Sequence, residues 1–473
     1  MNTTVLNEKG KVRWLVKIGY GIGQMSDSIP FNLFYFFFLY FLTDVAGIRP
    51  AVAGTISLIA VFWDAITDPI IGYLSDNNRS RFGRRRTFMI ASAIPYFICV
   101  WLLFTSVNFG EPFVNVYYII LAMVFWTFYT AFVIPYFALG AEITQDFQER
   151  TSLRAVAGVF MMGAVTIASA LPLLIVGKVM DYGGTAQKGW SVVGLIMGLL
   201  TLITVVICWR LTRGTETPLS EDDKGKGENF FITFGKMLKL KPTLLLIFSV
   251  LLFAGTCAMG TGGLVYLMTY NLGMDETTQA LVFTILTVVG MAWMPVADLM
   301  ARRIGKKNTY ILNVLITGVG ITLFKLVGFS GFGSMMVWTV IFVIGNSTFW
   351  SIGYSMMYDI SELYEFKYGV RREGTITSLT AFFQKLGSAS VMWLTGMVLS
   401  YVGYVANAAS QTPQALNGIE LIVTVLPGIM AIISGILIIF YPLTQKRYEA
   451  LFEALSAKKA GREYSIGEIE KLL

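Results

Sequence analysis

Asp64 and Asp68 sit in the stretch Phe62-Trp-Asp-Ala-Ile-Thr-Asp-Pro69, about halfway along an apolar run from Ala51 to Ser75. Four residues apart on a helix, the two carboxylates stack on one face about a turn from each other. The run is long enough to cross a bilayer. An ionised carboxylate at mid-membrane costs about 2.5–3.5 kcal/mol, and two of them repel. A small cation or a proton is the economical neutraliser, so the pair reads as a coupling-ion site. The competing reading is a pair kept protonated or salt-bridged only to hold helices together.

The rest of the chain has to place that pair in a membrane. Of 473 residues, 55% are hydrophobic and 14% charged, and apolar runs recur from end to end. Twelve spans are expected, at 20–43, 51–75, 87–107, 115–141, 154–177, 190–212, 243–271, 279–301, 308–328, 334–358, 375–404 and 418–441. The first is too long for a signal peptide and lacks a small-x-small cleavage site. The longest loop holds Ser220-Glu-Asp-Asp-Lys-Gly-Lys-Gly-Glu228 and divides the spans six and six. The expected organisation is therefore a bundle over 1–212, a linker over 213–242, a second bundle over 243–441 and an amphipathic tail over 442–473.

Thirty-one of the 36 Lys and Arg residues fall on the side shared by both termini and the even-numbered loops, and three on the other. That bias puts both termini in the cytoplasm. The net charge of +7 is spread over these short loops, so it does not argue for nucleic acid. Cys99, Cys208 and Cys257 lie inside apolar runs without CxxC spacing, which excludes a disulfide scaffold. Histidine is absent, leaving carboxylates, Lys or Tyr for any proton relay. No Walker loop, HExxH or GxSxG in a strand–helix context points to an enzyme.

A repeat supports the two bundles. Asp76-Asn-Asn-Arg-Ser-Arg81-Phe-Gly83-Arg84-Arg85 follows the second span, and Asp298-Leu-Met-Ala-Arg-Arg303-Ile-Gly305-Lys306-Lys307 follows the eighth. Each reads Asp, four residues, a basic residue, a hydrophobe, Gly and two basic residues. Each is expected to clasp its helix-end carboxylate against the basic pair, a cytoplasmic gate. Matched copies in equivalent places mark duplicated six-helix halves. The chain thus resembles the major facilitator fold: all-α, integral to the membrane, with twelve helices in two pseudo-symmetric bundles.

The resemblance narrows at Trp63-Asp64-Ala-Ile-Thr-Asp68-Pro69-Ile-Ile-Gly72 followed by Ser80-Arg-Phe-Gly-Arg84. With Gly21-Ile-Gly-Gln-Met-Ser-Asp27, Tyr40-Phe-Leu-Thr-Asp44, Tyr129-Thr130, Ile134-Pro135-Tyr136 and Glu149-Arg150-Thr151, it is similar to the glycoside–pentoside–hexuronide:cation symporter family, typified by melibiose permease. The resemblance implies a cation site of Asp64 and Asp68 with Thr130. Thr67 stands where the type member has Asn, and Na+ asks for several oxygens that Asp64, Asp68, Thr67 and Thr130 could supply, whereas a proton needs one carboxylate. It also implies sugar binding by Asp27, with Tyr129 and Trp350 as aromatic walls. Asp359, Glu362, Glu365, Arg371 and Glu373 match the region between the tenth and eleventh spans, and Lys385 the eleventh span.

Three departures bear on substrate. Val133 replaces a second sugar-binding acid, Gly158 falls opposite a sugar-contacting arginine, and Phe137 replaces a tryptophan. Loss of the acid favours an anionic sugar such as a uronide, with Lys385 as intramembrane cation, and loss of the arginine argues the other way. Lys385 can instead pair with Asp27, Asp64 or Asp68. Glu142, Asp359, Glu362 and Glu365 are expected to form gate salt bridges with Arg150, Arg154, Arg371 and Arg372. Lys325 is expected to snorkel. Tyr448, Leu451, Phe452 and Leu455 are expected to lie along the inner membrane surface.

The resulting expectation is a transporter of the bacterial inner membrane that couples a sugar, glycoside or uronide to Na+ or H+. It needs no cofactor beyond that ion, contacts lipid, and has no nucleic-acid or obligate protein partner. A lysolipid carrier on the same scaffold is the alternative.

Overall fold

The computed structural model describes residues 11–78, 80, 83–144, 147–216, 230–369, 373–408, 410–459, 462–463 and 467. Among them the regular structure is helical: α1 (Trp14–Leu33), α2 (Pro50–Asn77), α3 (Arg86–Leu103), α4 (Phe113–Glu142), α5 (Phe147–Asp181), α6 (Ala186–Leu211), α7 (Phe230–Leu238), α8 (Lys241–Tyr266), α9 (Glu276–Ile304), α10 (Lys306–Val327), α11 (Phe332–Thr348), α12 (Tyr354–Tyr368), α13 (Glu373–Tyr401), α14 (Pro413–Val423), α15 (Val425–Ile439) and α16 (Gln445–Lys459). Helix ends follow local chemistry. Pro50 opens α2 where no N–H is needed, and Gly369 closes α12 in the left-handed conformation.

Among the described residues, ten of the expected spans are long and apolar enough to cross a membrane. The other two correspond to α1 and α13, whose apolar runs are diluted by Lys17, Gln24, Asp27 and Ser28 and by Gln384, Lys385 and Ser388. The two spans least suited to lipid are thus the two that bring Asp27 and Lys385 into the membrane. Wider π-helical turns interrupt several spans, at Phe34–Phe38, Phe41–Val45, Leu267–Asn271 and Phe349–Gly353. Such turns are frequent at functional sites, and these place Asp44, Tyr270 and Trp350.

The chain forms two compact units. The first comprises 1–221, 268–287 and 392–415, and the second 222–267, 288–391 and 416–473. The first unit thus includes segments drawn from both six-helix sets. Within that unit α1 packs on α5 and α6, and α4 packs on α2 and α3. Its buried Asp44 accepts hydrogen bonds from Tyr270, Tyr404 and Thr43, and Asn407 Nδ2 donates to the Asp44 carbonyl at 2.5 Å. Glycine makes the nearby crossing of α2 and α13 close: a Cβ on Gly54 or Gly396 would press on the backbone of Trp393 or Pro50.

In the second unit α8 and α10 pack on α15. The tail helix α16 buries Leu451, Ala454 and Leu455 and packs on α12, while Phe452 stays exposed. Most of the face expected to lie on the membrane is thus occupied by protein. Lys325, expected to snorkel, also makes contacts in this unit. Its ammonium donates to Asn417 at 2.5 Å and pairs with Glu420, so it has a partner within the protein.

Candidate functional site

Asp64 and Asp68 project from α2 toward α4, where a single threonine meets both. Thr130 Oγ1 lies 2.6 Å from Asp64 Oδ1 and 3.1 Å from Asp68 Oδ1. A hydroxyl has one proton to donate, so it cannot serve two ionised carboxylates through both contacts. Asp64 and Thr130 are buried and Asp68 is partly buried, which raises the cost of like charges at one point. A proton or a hard cation is the kind of species such an oxygen set can accept. The Thr67 hydroxyl donates to the Asp64 carbonyl at 3.0 Å and keeps oxygen lone pairs for ligation. Oxygen ligands of this kind suit a hard ion better than a transition metal.

The second carboxylate centre lies on α1. Tyr129 donates to Asp27 Oδ1 at 2.6 Å, and Gln24 Nε2 donates to Oδ2 at 2.6 Å. Charged hydrogen bonds of this kind orient a carboxylate firmly. Phe31 and Trp126 flank Tyr129 at 6.2 and 4.9 Å between ring centroids. Tyr136 donates to the Tyr20 carbonyl at 2.8 Å and stacks on the Tyr20 ring at 4.6 Å. Tyr20, Gln24, Asp27 and Phe31 form one stripe of α1 facing α4. Gln24 is a residue that the sequence reading missed as a participant, although its spacing of three from Asp27 was the available signal. Tyr129 and Thr130 are neighbours in the chain, so α4 serves the Asp27 and Asp64/Asp68 centres from adjacent positions.

Trp350 and Lys385 lie in the second unit and belong to one neighbourhood there. Trp350 is 40% exposed and stacks on Tyr354 at 5.7 Å. The Tyr354 hydroxyl in turn donates to Gln384, the residue before the half-buried Lys385. Tyr354 and Gln384 carried no recognisable motif.

The glycines of the repeat adopt matching conformations. Gly83 and Gly305 have φ of +105° and +84°, a region that favours glycine, each just before a helix. The basic pairs, however, reach carboxylates two spans further on. Arg84 and Arg85 pair with Glu142 at the end of α4, and Lys306 pairs with Asp359 of α12 at 2.7 Å. Lys307 donates to the carbonyls of Ile439 and Tyr441 at 2.9 and 2.7 Å. Asp298 pairs with Arg302 on its own helix at 2.9 Å rather than with the following lysines, because the i, i+4 partner is nearer. The side chain of Asp76 and residue Arg371 lie outside the described residues. Glu362 and Glu365 are on α12, half-buried.

Two further contacts organise the same end of the first unit. Glu216, just after α6, accepts from the backbone N–H groups of Arg84, Arg85 and Arg86, each at 2.8 Å, at the start of α3. Lys17 pairs with Glu149 at 2.8 Å. That hydrogen bond, with one from the Val12 N–H, holds the Glu149 carboxyl below its ordinary range against a smaller burial effect. Arg154, expected to join a gate ion pair, has no carboxylate at ion-pair distance among the described residues. Its guanidinium lies 5.7 Å from the centre of the Phe137 ring.

Comparison with known proteins adds the family. Residues 19–445 match the family model described as MFS/sugar transport protein. An uncharacterized symporter of Bacillus subtilis, YjmB, is 31% identical over 93% of this chain and 95% of its own length. A glucuronide carrier protein homolog of Escherichia coli K12 is 27% identical over 97% of this chain and 99% of its own. Among solved structures, a bacterial homologue of the human drug peptide transporters superposes with a TM-score of 0.64 at 13% identity, covering 90% of this chain and 97% of that one, which bears on the fold alone.

Proposed function

Because this chain belongs to the MFS/sugar transport family, an integral-membrane family of transporters rather than enzymes, we propose that it imports a sugar or sugar derivative by alternating access, coupled to Na+ or H+. One observation carries the coupling. Two carboxylates in mid-span meet at the single hydroxyl of Thr130, an all-oxygen set of the kind that takes up a proton or a hard cation. Binding the cation there would remove the like-charge conflict and fix α2 against α4. The ion would then enter with substrate as cargo, and the membrane potential would add about 2.3 kcal/mol per charge per 100 mV.

On this reading the termini face the cytoplasm across a bacterial inner membrane, following the strong bias of basic residues to one side. Asp27, fixed by Tyr129 and Gln24, would accept sugar hydroxyls. The exposed face of Trp350 offers the apolar surface on which the C–H side of a sugar ring packs. Arg84, Arg85 and Glu142, with Lys306 and Asp359, are ion pairs that brace the cytoplasmic end of each half.

Uptake into reconstituted vesicles tests the reading. Labelled neutral glycosides, pentosides, uronides and a lysolipid are offered with and without inward Na+ and H+ gradients. Concentrative uptake of a sugar under one gradient is the expected result. Uptake of the lysolipid alone, or sugar uptake indifferent to both gradients, would remove it.

A further inference from the structure

Arg154 is the guanidinium that the coupling and gate readings leave unused. It lies seven residues into α5, and Gly158 is one turn further along the same flank. No carboxylate among the described residues pairs with it. It lies against the Phe137 ring on α4, and its charge is within electrostatic reach of the Tyr20 and Tyr136 phenols. Arg154 therefore sits against the α4 ring of Phe137, with its charge near the Tyr20 end of the stripe that runs to Asp27. A bare guanidinium in a span is costly unless it meets water or a partner, and this one is exposed.

The surroundings fit an anion. A Cβ added at Gly158, one turn further along α5, would meet nothing within 4 Å, so that flank of the helix is uncrowded. Val133, on α4 between the Tyr129 and Tyr136 levels, is buried and uncharged, so it adds no repelling carboxylate to the seam. The aromatic face of Phe137 orients the guanidinium plane while leaving its N–H fork free to form bidentate bonds. Asp27 would repel an anion placed against it. The Tyr20 level, where Arg154 acts, is seven residues away along α1, about 10 Å. A substrate with hydroxyls at one end and an acid at the other matches that separation of charge.

We propose that Arg154, held against Phe137, binds the carboxylate or sulfonate of an anionic sugar derivative whose hydroxyl end is held at Asp27. The proposal rests on the sugar-carrier reading and narrows its substrate to acidic sugars.

Binding to the purified full-length protein decides it, with methyl glucuronide, methyl 6-deoxy-6-sulfoglucoside and methyl glucoside as probes. Arg154→Gln is expected to weaken binding of at least one anionic probe tenfold or more and to change methyl glucoside less than twofold. Arg154→Lys should recover part of the loss, since it restores the charge without the fork. Phe137→Leu, which keeps the arginine but removes its platform, should weaken only the anionic probe, and it serves as a second test should the Arg154 variants fold poorly. Equal loss for all three probes would make Arg154 a structural or gate residue and overturn the proposal, as would no loss at all. Wild-type protein that binds methyl glucoside but neither anion would overturn the proposal while keeping the sugar carrier. Wild-type protein that binds no sugar in a broad panel would end the carrier reading itself.

Discussion

Replacing Thr130 with valine isolates the proposed ion site, because valine keeps the branched shape and removes only the hydroxyl. Thr130 is buried, and its oxygen lies 2.6 Å from Asp64 and 3.1 Å from Asp68. A hydrogen bond to a charged group contributes about 1.5–3 kcal/mol. Since 1.4 kcal/mol is about tenfold in a binding constant, Thr130→Val should raise the half-saturating cation concentration roughly 10- to 150-fold. Asp27 and its partners are untouched, so substrate affinity at saturating cation should stay within about threefold. Thr130→Ser keeps the hydroxyl and should remain near wild type. The assay is cation-dependent substrate binding to purified protein, by calorimetry, across a Na+ series and a pH series. An unchanged cation requirement in Thr130→Val, or an equal loss in the serine variant, would refute the shared-hydroxyl argument.

Two further outcomes follow from the frame around the site. Glu216→Ala removes the acceptor for three backbone N–H groups at the start of α3, and Gly83→Ala places a Cβ against that carboxylate at φ +105°. Capping losses and backbone strain each cost about 1–2 kcal/mol. Both variants should therefore lower the thermal midpoint in detergent without moving the cation dependence, and an unaltered midpoint would dismiss the anchor. Paired Tyr270→Phe and Tyr404→Phe changes strip two donors from buried Asp44. A cysteine at Ala46 should then react faster with an impermeant maleimide applied from outside, and an unchanged rate would show that the contact does not hold that end closed.

What could be read from sequence tracks how local the controlling physics is. Spans are written in runs of apolar residues, and the helix-two pair is conspicuous because a carboxylate in such a run is expensive. The repeat showed where the basic turns lie, and its glycines are explained by their positive φ. Their carboxylate partners, Glu142 and Asp359, could not be read from spacing, because they come from spans packed alongside rather than from the preceding helix. Gln24, Tyr354 and Gln384 escaped for a similar reason: a neutral amide or phenol acquires a role only when folding puts a carboxylate or an indole beside it. The tail helix looked like a membrane-surface helix because amphipathicity alone does not say whether protein or lipid will cover the apolar face.

The adjacency of Tyr129 and Thr130 has a kinetic side. Successive residues of a helix are separated by a rise of about 1.5 Å and cannot slip independently. In the proposed cycle, an axial shift of α4 by a single rise would withdraw the donor from Asp27 and the donor from Asp64 in one movement. Each ligand, by holding its own carboxylate in register, would favour the register that the other requires, and the two affinities must then rise together by the same factor. The stoichiometry of the carrier would thus be guarded by one stiff peptide unit. A carrier loaded with only one partner would slip more readily and settle less often into the register that commits to crossing, so leak of either cargo alone would be suppressed without any separate gate for it.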